Sequence, residues 1–311
     1  MRHNVLLVFV SLLAGCASMR HAPQRTAIPK EQARAVTIFD GRSGARTTWS
    51  ALVDACADAD VVLIGETHSH PLGLAAAATL FGDVANQRPS SIALSLEFFT
   101  RDEQAALDDY LLGVTDEDTF KKSTHRTSGS YPPGHARMIE TARDSGRPVI
   151  ASNAPRRYTS VARQEGFDRL RDLTNAQRAL FTIPDRLMQG PYKESFYDLM
   201  RGDPNDEEDD NASGHNGLPD DIIDGFYRAQ NLWDATMAAS IAHAAKSGAS
   251  PVVHVVGRFH TDFNGGLTAR LRRLFDANAR IVTLSVIDRA DDALASEDVA
   301  RADFVLYVGD N

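Results

Sequence analysis

The stretch VVLIGETHSHP, residues 61–71, decides the fold and contains the first candidate functional residues. Its four leading residues form an apolar run before Gly65, and such a run is typical of a strand that is buried on both faces. Glu66, His68 and His70 then follow within five positions. A buried strand that ends in a carboxylate and two imidazoles indicates a sheet whose strand ends frame one polar pocket.

Apolar strands alternate with amphipathic helices along the rest of the chain. Strands are predicted at residues 37–40, 60–65, 91–97, 147–153, 251–257, 280–287 and 303–308. Helices are predicted at 72–87, 101–112, 135–144, 224–248 and 264–277, with 113–133 as a loop. The alternation predicts an α/β fold with a mainly parallel sheet flanked by helices, and an additional, mostly helical region at 156–202. We expect residues 36–311 to form one domain of this kind.

The net charge of the chain argues against nucleic acid as a partner. The 311 residues carry a formal net charge of −9, whereas a nucleic-acid surface needs a basic face. Residues 202–217, GDPNDEEDDNASGHNG, form an acidic insertion between predicted helices. This segment lacks the spacing of a calcium-binding loop, so a solvated loop is the expected structure.

The first residues indicate a lipid-anchored envelope protein. Residues 1–16 combine a charged start, a short apolar run and LAGC, which is typical of a lipoprotein signal that ends at a lipidated Cys16. A plain signal peptide with a chance cysteine is the alternative. Residues 17–35 are polar and irregular, as in a flexible tether, and Ala17 favours the outer membrane of a Gram-negative bacterium. Cys56 is then the remaining thiol, and we expect it in the core.

Other predicted strands also end in ionisable residues. Glu97 ends one of them, and His260 closely follows another. Because the carboxyl ends of parallel strands meet at one edge of a sheet, we expect Glu66, His68, Glu97 and His260 to line the same pocket. Two histidines and two carboxylates suit a divalent metal such as zinc, manganese or iron. Taken singly, each could equally be a buried polar residue, and His70 has a second interpretation as the cap of the next helix.

Residues beside the expected pocket suggest how it would hold a ligand. Arg156 follows a strand that ends at Asn153, and a guanidinium suits carboxylates or phosphates. Gln230 and Asp234 are four residues apart on one helical face, where they would orient a pocket histidine. The alternatives are a surface ion pair for Arg156 and a solvated face for the helix. Arg156, Asn153 and Gln230 are therefore our predicted cofactor-binding residues.

The predicted loop before the third helix contains His125 and Tyr131, and His135 stands at the start of that helix. These side chains are placed to reach over the pocket or to contact a partner. For His135, a residue at the start of a helix is the alternative interpretation.

Five separated motifs occur in an order that resembles a known family. They are VVLIGETHSHP, SLEFF, RPVIASNAPRRY, AQNLWDATMAASI and VVGRFHTDFNGGL. Over about residues 36–290, the chain resembles the ChaN-like haem-binding lipoproteins of the Tiki superfamily. The resemblance implies an α/β fold, a lipid anchor, and a role in haem or iron uptake with haem bound. Two haems stacked across a homodimer would suit this family, and no feature of the sequence tests that arrangement.

One position departs from the pattern of the family. ChaN-like proteins have a tyrosine ahead of the third strand that suits haem iron, and counting back from Ala142 places His135 there. Histidine also ligates haem iron, and Tyr131 lies four residues earlier. The resemblance therefore implies His135 or Tyr131 as the axial ligand, with Arg156 neutralising a haem propionate.

Two other functions stay open at this point. Related branches of the superfamily are metal-dependent proteases and esterase-like hydrolases built on two short motifs, which are ETH at 66–68 and GRFH at 257–260 here. A bound metal would activate water, with Glu66 or Glu97 as the general base. The third interpretation is a binding module for another ligand. The sequence favours a haem-binding protein over an enzyme.

Overall fold

The computed structural model describes residues 28–88, 91–127, 130–202 and 218–310. Within these residues, seven strands form one sheet: β1 (Thr37–Asp40), β2 (Val61–Glu66), β3 (Ala93–Thr100), β4 (Val149–Asn153), β5 (Val252–Gly257), β6 (Ile281–Ile287) and β7 (Phe304–Tyr307). Their order across the sheet is β1-β7-β6-β2-β5-β3-β4. The signal segment with Cys16, most of the tether and residues 203–217 of the acidic insertion lie outside the described residues.

The sheet is mainly parallel, as the sequence predicts. Only the edge pair β1 and β7 is antiparallel among the described strands, and every other pair is parallel. β2 lies at the centre, with Val61 aligned to Val252 of β5 and to Ile281 of β6. All six residues of β2 are buried, because helices cover both faces of the sheet.

The helices of the described residues connect and cover these strands. In chain order they are α1 (Lys30–Arg34), α2 (Trp49–Ala57), α3 (Pro71–Gln87), α4 (Gln104–Leu111), α5 (Glu117–Ser123), α6 (Pro133–Asp144), α7 (Arg156–Glu165), α8 (Phe167–Arg171), α9 (Asn175–Arg178), α10 (Pro191–Arg201), α11 (Asp220–Lys246) and α12 (Gly266–Leu274). Short 3₁₀ turns occupy Arg101–Glu103, Arg258–His260, Asp262–Asn264 and Ser296–Asp298.

The core is divided between the two faces of the sheet. Val62 and Ile64 of β2 pack in a cluster with apolar residues of α2, α3 and α6. Their neighbours Val61 and Leu63 point the other way and pack in a cluster with α11 and α12. Fully burying one such side chain contributes roughly 1.5–3 kcal/mol. The double-sided burial explains why β2 is apolar at successive positions instead of alternate ones.

Two predicted segments differ from the structure. The segment predicted as a loop at 113–133 contains α5, which begins after Asp116 caps the backbone N–H of Thr119 at 2.8 Å. Phe120 of α5 is fully buried in the core, and this single apolar anchor is too little periodicity to indicate a helix. The region at 156–202 is mostly helical as predicted, with α7 to α10, but residues 179–190 within it form no helix.

Candidate functional site

A cleft of about 1470 Å³ opens at the carboxyl ends of β2, β4 and β5. Side chains from α10 and α11 also line it. The structure brings together the four residues predicted at the strand ends, which are Glu66, His68, Glu97 and His260. The register between β3 and β4 shifts beyond Leu96, so the strand leaves regular pairing where Glu97 enters the site.

Glu66 joins two histidines at the end of β2. Its Oε1 atom lies 3.2 Å from Nδ1 of His68, and its Oε2 atom lies 3.5 Å from Nε2 of His135. Burial by itself would raise the pKa of Glu66, but hydrogen bonding to His135 and His68 lowers it below the ordinary value. The hydrogen bond that His68 donates to Glu66 raises the pKa of His68. The carboxylate therefore stays ionised between two imidazoles.

His68 is the exposed member of this group. Its side chain is 72% exposed, whereas that of Glu66 is 6% exposed. The imidazole lies against Gly257 at the end of β5, where a Cβ atom would approach Cε1 and Nε2 of His68 to 2.9 Å. Glycine at position 257 is therefore required for the imidazole to occupy this place.

Three further ionisable side chains, those of Asp234, His260 and Glu97, lie in a row beneath the cleft. Nδ1 of His260 is 2.5 Å from Oδ1 of Asp234, and Nε2 is 3.5 Å from Oε1 of Glu97. The backbone N–H of Gly257 donates to the other Glu97 oxygen at 2.7 Å. Burial opposes the charged imidazolium, but the two carboxylates raise the pKa of His260. Burial likewise opposes ionisation of Glu97, and His260 and Gly257 lower its pKa. We infer a carboxylate–imidazolium–carboxylate chain.

α11 orients His260 as its i, i+4 spacing predicts. Asp234 holds Nδ1 of the imidazole, and Nε2 of Gln230 lies 3.3 Å from the same nitrogen. Tyr192 of α10 completes the network, because its hydroxyl donates to Asp234 at 2.8 Å and accepts from Gln230 at 3.1 Å. Sequence reasoning missed Tyr192, which is far from α11 along the chain and gives no local signal of the contact.

The two predicted axial ligands are both buried. His135 lies on the cleft wall with its imidazole stacked on Phe98 at a centroid distance of 4.5 Å and its Nε2 facing Glu66. Tyr131 is not among the described residues that line the cleft. Its ring packs in the core between Phe98 and Phe120, and burial raises its pKa well above the ordinary value. Tyr131 would have to leave this packing to reach a ligand in the cleft.

Arginines give parts of the cleft positive charge. Those that line it among the described residues are Arg126, Arg156, Arg157, Arg258 and Arg301. All but Arg156 pair with carboxylates, which belong to Glu103, Asp102 and Asp262. Arg156, the first residue of α7, is exposed and its guanidinium has no hydrogen-bond or ion-pair partner in the described part of the chain. It is therefore free to pair with an anionic ligand.

Aromatic and aliphatic side chains form the apolar part of the wall. They include Phe98, Phe196, Leu199, Trp233, Phe259 and Phe263. Leu199 and Phe263 are 63% and 52% exposed, so both present apolar surface to the cleft. Phe263 also has a left-handed backbone, with φ of +55°. The sequence motifs contain some of these residues, but no periodic pattern marks them as wall residues.

His70 and Asn153 have local structural roles. Nδ1 of His70 accepts a hydrogen bond from the backbone N–H of Gly73 and so caps α3, and its Nε2 lies 3.0 Å from the Gly309 carbonyl oxygen. The capping interpretation of His70 is confirmed. Asn153 lines the cleft, and its Oδ1 atom accepts from the backbone N–H of Ala154.

The predicted divalent metal site gains no support from the geometry. The described residues contain no group of three or more histidine, cysteine, aspartate or glutamate side chains that could hold a metal ion. Both ring nitrogens of His260 already face carboxylates, so this imidazole has no free lone pair directed into the cleft. The metal-dependent hydrolase therefore stays a prediction without a structural observation in its favour.

The fold of this chain is similar to those of several solved structures. The fold resembles a solved structure of ChaN from Campylobacter jejuni, described as cofacial haem binding, with a TM-score of 0.65 and 15% identity over 88% of this chain and 96% of that one. The type III effector HopBA1 gives a TM-score of 0.42 at 15% identity, over 90% of this chain and 99% of that one. A Bacillus cereus protein gives 0.43 at 11% identity, over 83% and 75%. No curated protein sequence matches.

The family model described as haem-binding uptake, Tiki superfamily, ChaN matches residues 52–271. The matched segment begins in α2 and ends in α12, so it contains both sides of the cleft. Since it spans most of the chain, this protein belongs to the haem-binding uptake family of ChaN in the Tiki superfamily.

Proposed function

We propose that this protein binds haem in the strand-end cleft and takes part in haem or iron uptake. The observation that carries the proposal is one cleft that combines aromatic walls, histidines and the unpaired Arg156. Its volume of about 1470 Å³ exceeds the roughly 300–1,000 Å³ of ordinary small-molecule pockets. A flat macrocycle with an apolar face and two carboxylates matches this combination of size and chemistry.

The residues of the cleft fit haem in four respects. Trp233 and the half-exposed Phe263 offer apolar surface to the porphyrin, and histidine is a common ligand of haem iron. Arg156 can pair with a propionate through charge-assisted hydrogen bonds. One buried polar atom of the wall, Nδ1 of His135, lacks a hydrogen-bond partner among the described residues. Such an atom is typical of a site that a ligand or water completes.

The direct test is a titration of the purified protein with haemin, followed by its absorption spectrum. We expect a Soret shift that saturates at a fixed ratio of haem to protein. A linear rise without saturation, as for free haemin, would contradict the proposal. We also propose that a homodimer holds two stacked haems, as the resemblance to the family implies. The saturating ratio, with sedimentation of the loaded protein, tests this arrangement.

A lipid anchor is the second part of the proposal. LAGC at residues 13–16 supports acylation of Cys16, with residues 17–35 as the tether between the membrane and the folded domain. No helix of the described residues is long and apolar enough to cross a membrane. Mass spectrometry of the mature amino terminus should find a diacylglyceryl-modified Cys16 in the outer-membrane fraction. An unmodified terminus at another residue would contradict the anchor.

A further inference from the structure

We propose that His68 is the axial ligand of the haem iron and that Glu66 orients it. This inference rests on the proposed haem binding and assigns a ligand to it. It replaces Tyr131 and His135, the residues that the resemblance to the family favours.

The hydrogen bond to Glu66 selects the ring nitrogen that can bind iron. Nδ1 of His68 lies 3.2 Å from Oε1 of Glu66, and a carboxylate oxygen only accepts hydrogen bonds, so Nδ1 is the donor nitrogen of the ring. Nε2 is then the nitrogen left for iron, and it has no hydrogen-bond partner in the described part of the chain. A carboxylate that accepts from the distal N–H is the usual arrangement of a metal-bound histidine.

Exposure to the cleft distinguishes His68 from the other histidines that could bind the haem iron. Its side chain is 72% exposed on the cleft, whereas that of His135 is 6% exposed. His135 also has its Nε2 directed at Glu66, and its Nδ1 is buried. His125 is exposed in the cleft, but no described carboxylate fixes its tautomer. Only His68 combines access with an orienting carboxylate among these histidines.

The backbone around His68 is fixed on both sides. The hydroxyl of Thr67 donates to the Val286 carbonyl of β6 at 2.8 Å, and His70 caps α3. Ser69 between them has a left-handed backbone, with φ of +63°. The turn is thus anchored to the central strands of the sheet, which gives the imidazole the rigid support that a metal ligand needs.

The test is resonance Raman spectroscopy of the ferrous haem complex, in which an iron–histidine stretching band is observed directly. We expect the band in the unmodified protein, a shift on ¹⁵N-histidine labelling, and its loss in His68→Ala. Glu66→Gln should retain the band at lower frequency, because a neutral amide is a weaker acceptor from Nδ1. His243→Ala is the matched control, because His243 is exposed in the last turn of α11 and outside the residues that line the cleft.

The outcomes separate this assignment from the haem proposal itself. A band that survives in His68→Ala and disappears in His125→Ala or His135→Ala would overturn the assignment alone. A saturable Soret shift with no iron–histidine band in the unmodified protein would also overturn it and favour an oxygen ligand. Absence of any saturable Soret shift would overturn both proposals. Circular dichroism of each variant excludes loss of folding as the cause, since the exposed His68 contributes little to the core.

Discussion

At the scale of single residues, the charged chain of Asp234, His260 and Glu97 is the most consequential feature. Asp234 is fully buried and His260 nearly so, so each charge depends on its neighbours for the solvation that water would give. Such a chain stabilises little relative to apolar packing, but removal of one member leaves the others uncompensated. Substitution of any of these three residues beneath the cleft should therefore destabilise the fold.

We predict that His260→Ala lowers the free energy of unfolding by about 3–5 kcal/mol, the usual cost of breaking a buried ion pair. Urea denaturation measures this change. His243→Ala, an exposed histidine on α11, should change stability by less than about 0.5 kcal/mol. A loss below about 1 kcal/mol for His260→Ala would contradict a charged chain.

The same contacts predict a pH dependence. The raised pKa of His260 stabilises the fold fully below the ordinary histidine value of 6.5, and that stabilisation is lost as the pH rises. The lowered pKa of Glu97 stabilises the fold fully above 4.5, and that stabilisation is lost as the pH falls. The stability difference between the unmodified protein and His260→Ala should therefore be largest between 4.5 and 6.5. A difference that does not vary with pH would count against the ionised state.

Arg156 gives a prediction about the ligand. Arg156→Ala should weaken haem binding by roughly 10- to 100-fold, because a hydrogen bond to a charged group contributes about 1.5–3 kcal/mol. The shape of the bound spectrum should stay unchanged, since the iron ligand is not altered. Arg171→Ala is the control, because Arg171 pairs with Asp168 on the surface of α8 and does not line the cleft. Equal haem affinity of the two variants would show that Arg156 has no role.

At the scale of elements, the apolar runs in the sequence predicted the strands well. The sequence did not predict the contacts between elements that are distant along the chain. VVLIG and PVVHVVG contain enough buried residues to indicate strands by themselves, and both form central strands, β2 and β5. The four strand-end residues followed from the topology of parallel sheets. Topology did not predict two other contacts, those of Tyr192 with Asp234 and of His135 with Glu66. Each depends on how a helix packs against an element that is distant along the chain. α5 was missed because its sequence is polar around Phe120.

The contact between Gly257, at the end of β5, and His68 leads to a prediction about elements. A Cβ atom at Gly257 would approach the His68 imidazole to 2.9 Å. Because the imidazole is the tip of an exposed side chain, Gly257→Ala should displace it from its place beside Glu66 at little cost in stability. Gly82→Ala is the matched control, because its Cβ would meet Thr141 Cγ2 at an ordinary 3.7 Å within α3. That substitution should stabilise the helix by about 0.5–1 kcal/mol. The NMR signals of the His68 imidazole compare the two variants: they should shift in Gly257→Ala and stay unchanged in Gly82→Ala. Unchanged His68 signals in both variants would contradict a tight contact at Gly257.

At the scale of the whole molecule, the cleft lies where the carboxyl edge of the sheet meets the additional helical region. Glu66 and Glu97 end or lie in β2 and β3, and His260 follows β5. α10 and α11 supply Tyr192, Phe196, Trp233 and the buried Asp234. The overall charge is −9, yet Arg156 stays unpaired in the described part of the cleft. An acidic protein with a local cationic site suits an anionic ligand that binds in one place instead of over a broad surface.

The central claim is that haem occupies this cleft, and a comparison of two variants of α4 tests it most directly. Ala106 lines the cleft, whereas its neighbour Ala105 is exposed and does not. Haemin titrations should show that Ala106→Trp weakens binding at least tenfold, which is about 1.4 kcal/mol, because the indole fills space that the porphyrin needs. Ala105→Trp should bind haemin like the unmodified protein. Equal affinity of all three proteins would contradict haem binding in the strand-end cleft.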